Sequence, residues 1–458
     1  MSTHSKMLAK DFTEGNVTKQ MLLFATPLFM SSFLQIVYNI VDMIIVGQMT
    51  GKIGLSAIAI GGDVTHFFTF IAIGFGGAAQ IIVAQYLGAK QTDKLNLFVK
   101  TALTFMLLTT IAISAFSLTF KNGLLRLMNT PEESFRDALA YVSVSLSGLI
   151  FVYGYNFISA IMRGMGDSKH PFIFISVSAI LNVLLDILFV IYMKMGAVGA
   201  AWGTVISQGV SFILSVVFLW RHQRHFYLEL DITTFFRIDK EMLLALIKLG
   251  IPMAVKGMAI HFSKLFMNSW INSYGVAVSA MVGIGHKLGM ISILFSSSFN
   301  TAGSSMIGQN IGAEKYERVP VIMNATFVLT LITSIILSVA VVGFPGKVFG
   351  AFTSDKEVLS VAYEFIPIAV LTFLGSAFRA PMNGLIDGSG NYKLNFLVAL
   401  FDGFVMRIGL AVLFCIGFNQ GYMGLWFGDA IAGFTPFVIG VVYYYSGTWR
   451  TRSYLFKD

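Results

Sequence analysis

Three polar stripes interrupt segments that are otherwise almost free of charge. In the run from Met21 to Gln48, Gln35, Asn39 and Asp42 fall at i, i+4 and i+7 and share one face of a helix. The segment SAILNVLLDILFV places Ser178, Asn182 and Asp186 at i, i+4 and i+8, and GTVISQ supplies Thr204, Ser207 and Gln208. An ionised aspartate at membrane depth costs roughly 3 kcal/mol, and no Lys or Arg lies at comparable depth in these three segments. The missing partner is expected to be a proton or a metal ion. Burial disfavours a charged carboxylate, so a buried aspartate pair can hold and release protons. Alternatively, the two carboxylates, the Asn182 amide oxygen and the Thr204 hydroxyl offer hard oxygen ligands for an alkali or alkaline-earth cation.

The second half is different. From Met242 to Ala313 there is no Asp or Glu, yet Lys248, Lys256, His261, Lys264, His286 and Lys287 are present. One expectation is intramembrane ion pairing of Lys256 and Lys264 with Asp387, Asp402, Asp429 or Asp63. The other is an electropositive half of a cavity, with Lys256, His261, Lys264 and the His286–Lys287 pair favouring substrates that carry an anionic or zwitterionic group. Arg379 with Asp387, and Asp402 with Arg407, read as interior pairs.

These side chains must be positioned by membrane helices. The chain has 458 residues, 56% hydrophobic and 12% charged, against about 25% charged in soluble domains. Twelve apolar runs of spanning length lie near 20–46, 56–86, 97–120, 138–162, 171–193, 197–220, 242–272, 277–311, 320–346, 359–385, 394–416 and 422–446. Strand-type alternation is absent, so the expected class is an all-α integral membrane protein. The polar first twenty or so residues lack a secretory signal pattern, and both termini are expected in the cytoplasm. In that orientation cytoplasmic segments hold seventeen Lys and Arg and external ones seven, in keeping with the positive-inside rule. The basic charge therefore needs no nucleic-acid partner. The single cysteine, Cys415, excludes an intrachain disulfide and reads as a packing residue.

The chain is also written twice. LLFATP ending at Pro27 answers IKLGIP ending at Pro252, AQYLGAKQ answers GQNIGAEK, and GAVGAAWG from Gly196 answers GYMGLWFG from Gly421. Residues 1–220 form an expected amino-terminal lobe of helices 1–6, 221–241 a cytoplasmic linker, and 242–458 a carboxy-terminal lobe of helices 7–12. Six helices per repeat is an even number, so both copies enter from the same side. Parallel repeats imply a central cleft as substrate site and alternating access by rocking.

With Pro27 fifteen residues before Asp42, LNVLLD followed by GAVGAAWGT, RGMGDSKHP after the fourth helix and GAAQIIVAQYLGAK ending the second, the chain resembles the multidrug and toxic compound extrusion (MATE) transporters over essentially its whole length. The resemblance implies efflux of small organic substrates coupled to H⁺ or Na⁺, in a multi-pass protein of the bacterial inner membrane. It assigns the coupling ion to Asp42, Asn182, Asp186 and Thr204, which would also be the metal ligands if Na⁺ is the ion, and a bend of helix 1 to Pro27. Tyr38, Asn39 and Asn156, with Gln35, are further cavity candidates. No cofactor beyond the coupling ion is implied, and the expected partners are substrate and membrane lipid around a monomer. Some family members carry an acid on helix 7 about nine residues after its proline; here that position is His261, so coupling is expected in the amino-terminal lobe alone. An enzyme is disfavoured, since HExxH, G-x-S-x-G, P-loop and Cys/His metal motifs are missing. A lipid-linked oligosaccharide flippase of the same superfamily is the alternative, and it does not readily explain the Asp42, Asn182, Asp186 and Thr204 set.

Overall fold

The computed structural model describes residues 7–230 and 238–451; the basic residues Lys6, Arg237, Arg452 and Lys457 and linker positions 231–237 lie outside the described residues. Among the described residues every regular element is helical. Ten helices are long and apolar enough to cross a bilayer, and the pair Glu132–Ser147 and Leu149–Gly164, bent by 45°, makes an eleventh span. The first helix, Val17–Gly88, has 72 residues, far beyond the ~20 that cross a membrane. It holds two spans, so the protein is multi-pass with twelve.

We label them α1 (17–50), α2 (52–88), α3 (Thr92–Leu127), α4 (Glu132–Ser147 with Leu149–Gly164), α5 (Lys169–Tyr192) and α6 (Gly196–Arg221) in the first repeat. The second repeat contains α7 (Lys240–Asn272), α8 (Val276–Gly312), α9 (Arg318–Gly343), α10 (Lys356–Gly388), α11 (Tyr392–Gly417) and α12 (Gly421–Ser446). The gap expected between residues 46 and 56 is absent. Helical structure continues to a single break at Gly51, with φ 64° and ψ −152°, a conformation open in practice only to glycine. The expected single fourth helix bends at Gly148, where a β-carbon would lie 2.4 Å from Val205 Cγ2; a residue without a side chain lets α4 meet α6.

Two π-helical turns recur at matching places in the repeats, Ile187–Tyr192 at the end of α5 and Leu413–Gly417 at the end of α11. Such turns often mark functional positions, and the first begins directly after Asp186.

Contacts divide the chain into two compact units. One contains the described residues before Phe12 with Thr26–Gly250, the other Phe12–Ala25 with the described residues from Ile251 onward. The division thus falls inside α1 and α7, two residues before Pro27 and Pro252. Hydrogen bonds explain the assignment of the opening segment. Gln309 Oε1 accepts from the Phe12 N–H at 2.9 Å, while Asn310 Nδ2 and Arg318 Nη2 donate to the Phe12 carbonyl at 3.1 and 3.2 Å. Conversely, the start of α7 belongs to the first unit: Tyr86 donates to Met242 Sδ at 3.2 Å, and Gly250 packs on the Phe75 ring.

Candidate functional site

The first unit buries its acids together. Asp42 is 8% exposed, Asn182 1% and Asp186 0%, and the Asp42 and Asp186 side chains lie within hydrogen-bonding reach of each other. Two ionised carboxylates offer only acceptors, so this contact becomes a hydrogen bond when one of them carries a proton. Neither acid makes an ion pair among the described residues. Asp42 Oδ1, Asn182 Oδ1 and both Asp186 oxygens are buried without a donor. Buried polar atoms are normally satisfied, so this cluster of orphaned oxygens is suited to a small cation or a proton.

Helix α6 approaches through Gly203, where a β-carbon would sit 2.5 Å from Asp186 Oδ1 and 3.6 Å from Asn182 Nδ2. Thr204 follows directly and is half-buried. One turn on, Gln208 Nε2 donates to the Tyr38 hydroxyl at 3.4 Å and ties α6 to α1. Tyr38 and Asp42 are buried while Asn39 is exposed and Gln35 half-buried. The inward stripe of α1 is therefore Tyr38, Asp42 and Val46 at i, i+4 and i+8, and Asn39 turns away from it. Asn156 donates to the Val152 carbonyl of its own helix at 2.8 Å.

The sequence pattern gave no hint of Tyr141. It is half-buried on α4, within electrostatic reach of both Asp42 and Asp186, and α2 accommodates it at Gly61, where a β-carbon would meet the ring at 2.5 Å. Among the described residues no three His, Cys, Asp or Glu side chains stand together. Two carboxylates with neutral oxygens suit a proton or a hard monovalent cation.

In the second unit three interior bases, Lys256, Arg379 and Arg407, are paired. Lys256 Nζ donates to Asp387 Oδ1 and to Asn395 Oδ1, each at 2.9 Å. Arg407 bonds Asp402 Oδ1 at 2.8 Å, as the sequence suggests, and also Asp429. Arg379 does not pair with Asp387 eight residues on; it reaches Asp402 Oδ2 at 2.7 Å, because Lys256 already holds Asp387. His261 and Lys264 are half-buried.

The MatE family pattern matches residues 27–188 and again 252–432, the two matches opening on Pro27 and Pro252. The chain belongs to the MATE family. Among curated MATE-type relatives, the probable multidrug resistance protein YpnP of Bacillus subtilis is 27% identical over 97% of this chain and 98% of its own. The probable multidrug resistance protein NorM of Thermotoga maritima is 22% identical over 96% and 95%. A solved MATE transporter in an outward-facing conformation superposes with TM-score 0.90 at 20% identity, covering 98% of this chain and all of the other. A MOP superfamily transporter from Pyrococcus furiosus, described as having a binding pocket of reverse polarity, gives 0.89 at 20% over 99% and 100%. These likenesses show that the MATE fold extends along the whole chain.

Proposed function

We propose that this MATE protein is a secondary active exporter of small organic molecules of the multidrug type, working by alternating access as an antiporter of H⁺ or Na⁺. The observation that carries this reading is the facing, buried pair Asp42 and Asp186 without a basic partner. Relatives named as multidrug resistance proteins support the substrate class. Asp42, Asn182, Asp186 and Thr204 would hold the coupling ion, with Tyr38, Gln208 and Tyr141 ordering the carboxyls. Proton uptake would let one acid donate to the other and draw α1 toward α5 above Pro27. That proline lacks an N–H and interrupts the helical ladder. The second unit carries no equivalent acid pair and takes no part in coupling. The surplus of basic residues on one face of the membrane supports a bacterial plasma-membrane location with both termini cytoplasmic. All of these groups lie on one chain, so a monomer suffices, and no cofactor or enzymatic step enters the reading. A flippase of lipid-linked oligosaccharides does not readily explain the acid pair.

The test is dye export from proteoliposomes, with cationic ethidium and anionic fluorescein in parallel, driven separately by a pH step and a sodium step. Asp42→Asn and Asp186→Asn should each lose gradient-driven export while reaching the membrane in normal amounts. Wild-type rates from either variant would refute the coupling assignment.

A further inference from the structure

The second repeat replaces the ion-coordinating residues of the first with fixed charges. At the 225-residue offset that carries Pro27 onto Pro252, Asn182 corresponds to Arg407, Asp186 to Ala411 and Thr204 to Asp429. The correspondence holds in space. Gly203 packs on Asp186, and its counterpart Gly428 packs on Ala411, whose backbone nitrogen a β-carbon would approach to 2.3 Å. Where the first unit leaves two acids for a mobile cation, the second has a guanidinium built in.

The charges there do not balance. Arg379, Arg407 and Lys264 are gathered around two carboxylates, Asp402 and Asp429, which leaves one positive charge in excess whenever Lys264 is protonated. Both arginines grip a carboxylate. Lys264 feels the field of Asp429 against those of Arg407 and Arg379 but makes no hydrogen bond or ion pair among the described residues. An ammonium ion in a membrane segment without a bonded partner is expensive, and a mobile anion is the natural remedy.

The surroundings of Lys264 fit that role. On α7, Ala259, Ser263 and Met267 face the unit's interior, Phe262 and Phe266 are exposed, and His261, Lys264 and Asn268 form a third, half-buried polar face at i, i+3 and i+7. Asn268 Nδ2 lies 3.3 Å from His286 Nε2 of α8, and His286 is within the field of Lys264. An ammonium, an amide and an imidazole thus stand together on two helices: the Asn268 amide spends one hydrogen on His286 Nε2, leaving its second hydrogen, the Lys264 ammonium and the Nδ1–H of His286 as donors for a carboxylate.

We propose that Lys264, with Asn268 and His286, forms a subsite for the carboxylate of an anionic or zwitterionic organic substrate. Lys256 is no part of it, being neutralised by Asp387. This inference rests on the export reading and names its substrate class, a class opposite in charge to the ion held by the first unit.

The test is fluorescence anisotropy on the purified full-length protein with two dyes on one xanthene skeleton, fluorescein with its free carboxylate and cationic rhodamine 6G with an ester. Lys264→Gln should weaken fluorescein binding roughly tenfold, the scale of a charge-assisted hydrogen bond, and leave rhodamine 6G unchanged; Lys264→Arg should restore fluorescein to within about twofold. If Lys264→Gln lowers the melting temperature sharply, Asn268→Ala carries the same expectation. Added phosphatidylglycerol should not displace the dye. Displacement by that lipid, an equal shift for both dyes, or no saturable fluorescein binding to the wild type would each overturn the subsite. Asp42→Asn keeps the two readings apart, because it should abolish driven export and retain fluorescein affinity. If that variant still exports, the coupling assignment fails while the dye affinities continue to decide the subsite.

Discussion

Gly203 and Asp186 are in such close contact that a β-carbon on the glycine would lie 2.5 Å from the carboxylate oxygen Oδ1. Helix α6 can therefore close over the acid pair only because this position has no side chain. Gly203→Ala should push Asp186 off Asp42, abolish driven export and destabilise the fold by about 1–3 kcal/mol, the usual scale of overpacking. Export assays alongside thermal unfolding of the purified protein check it, and Thr204→Ser, one residue on, should be tolerated in both.

Tyr141 offers a milder perturbation of the same site. Tyr141→Phe keeps the ring against Gly61 but removes the hydroxyl near the two acids. The expected result is a pH–rate profile of export displaced from wild type, with protein yield unchanged; an identical profile would remove Tyr141 from the site.

Arg407 should behave as structure. It is 2% exposed and bonded to both Asp402 and Asp429, so Arg407→Ala leaves the buried Asp402 and the half-buried Asp429 each short of a partner. The loss expected for breaking a buried pair is about 3–5 kcal/mol, read as a collapse of the detergent-solubilised monodisperse peak. Replacing Arg407 and Asp402 together should recover part of it.

Lys256 tests the same distinction from the other side. Because its ammonium is held by Asp387 and Asn395, Lys256→Met should lower the melting temperature and leave the preference between anionic and cationic dyes where it was. A changed preference would mean that its charge reaches the substrate after all.

Pro27 and Pro252 stand two residues past the places where the chain passes from one unit to the other. Replacing Pro27 with alanine restores a helical N–H and should slow turnover several-fold, as a helix that bends less readily would. Dye binding at equilibrium should be unaffected, since no residue of either candidate site lies within that turn of the helix.

Much of this was legible in the residues. The two acids, Asn182 and the departure of the second half from the first all follow from spacing and charge, since a carboxylate in an apolar run needs an explanation whatever the fold. What spacing could not decide was which flank of Asp42 turns inward. Tyr38 and Asn39 precede it by four and three residues, both compatible with one helical face, and packing against Gln208 selects Tyr38. Tyr141 was invisible because nothing local sets it apart from other aromatic residues of a membrane helix; only the missing side chain of Gly61 on α2 gives it room. The pairing of Arg379 with Asp402 instead of Asp387 depended on a third party, Lys256, whose position is a matter of tertiary structure. Gly51 could be read as a loop residue, but its neighbours keep helical geometry on both sides, so one residue does the turning.

The ownership of the opening segments bears on how the protein can be taken apart. Residues 12–25 are hydrogen-bonded into the unit built mostly from the second half, while the start of α7 is packed into the first. A gene severed in the linker would therefore encode two fragments, each missing a piece of itself and carrying a piece of the other. Neither should accumulate when made alone, and expressing both in one cell should rescue them together, with the first fragment donating its leading strap to the second.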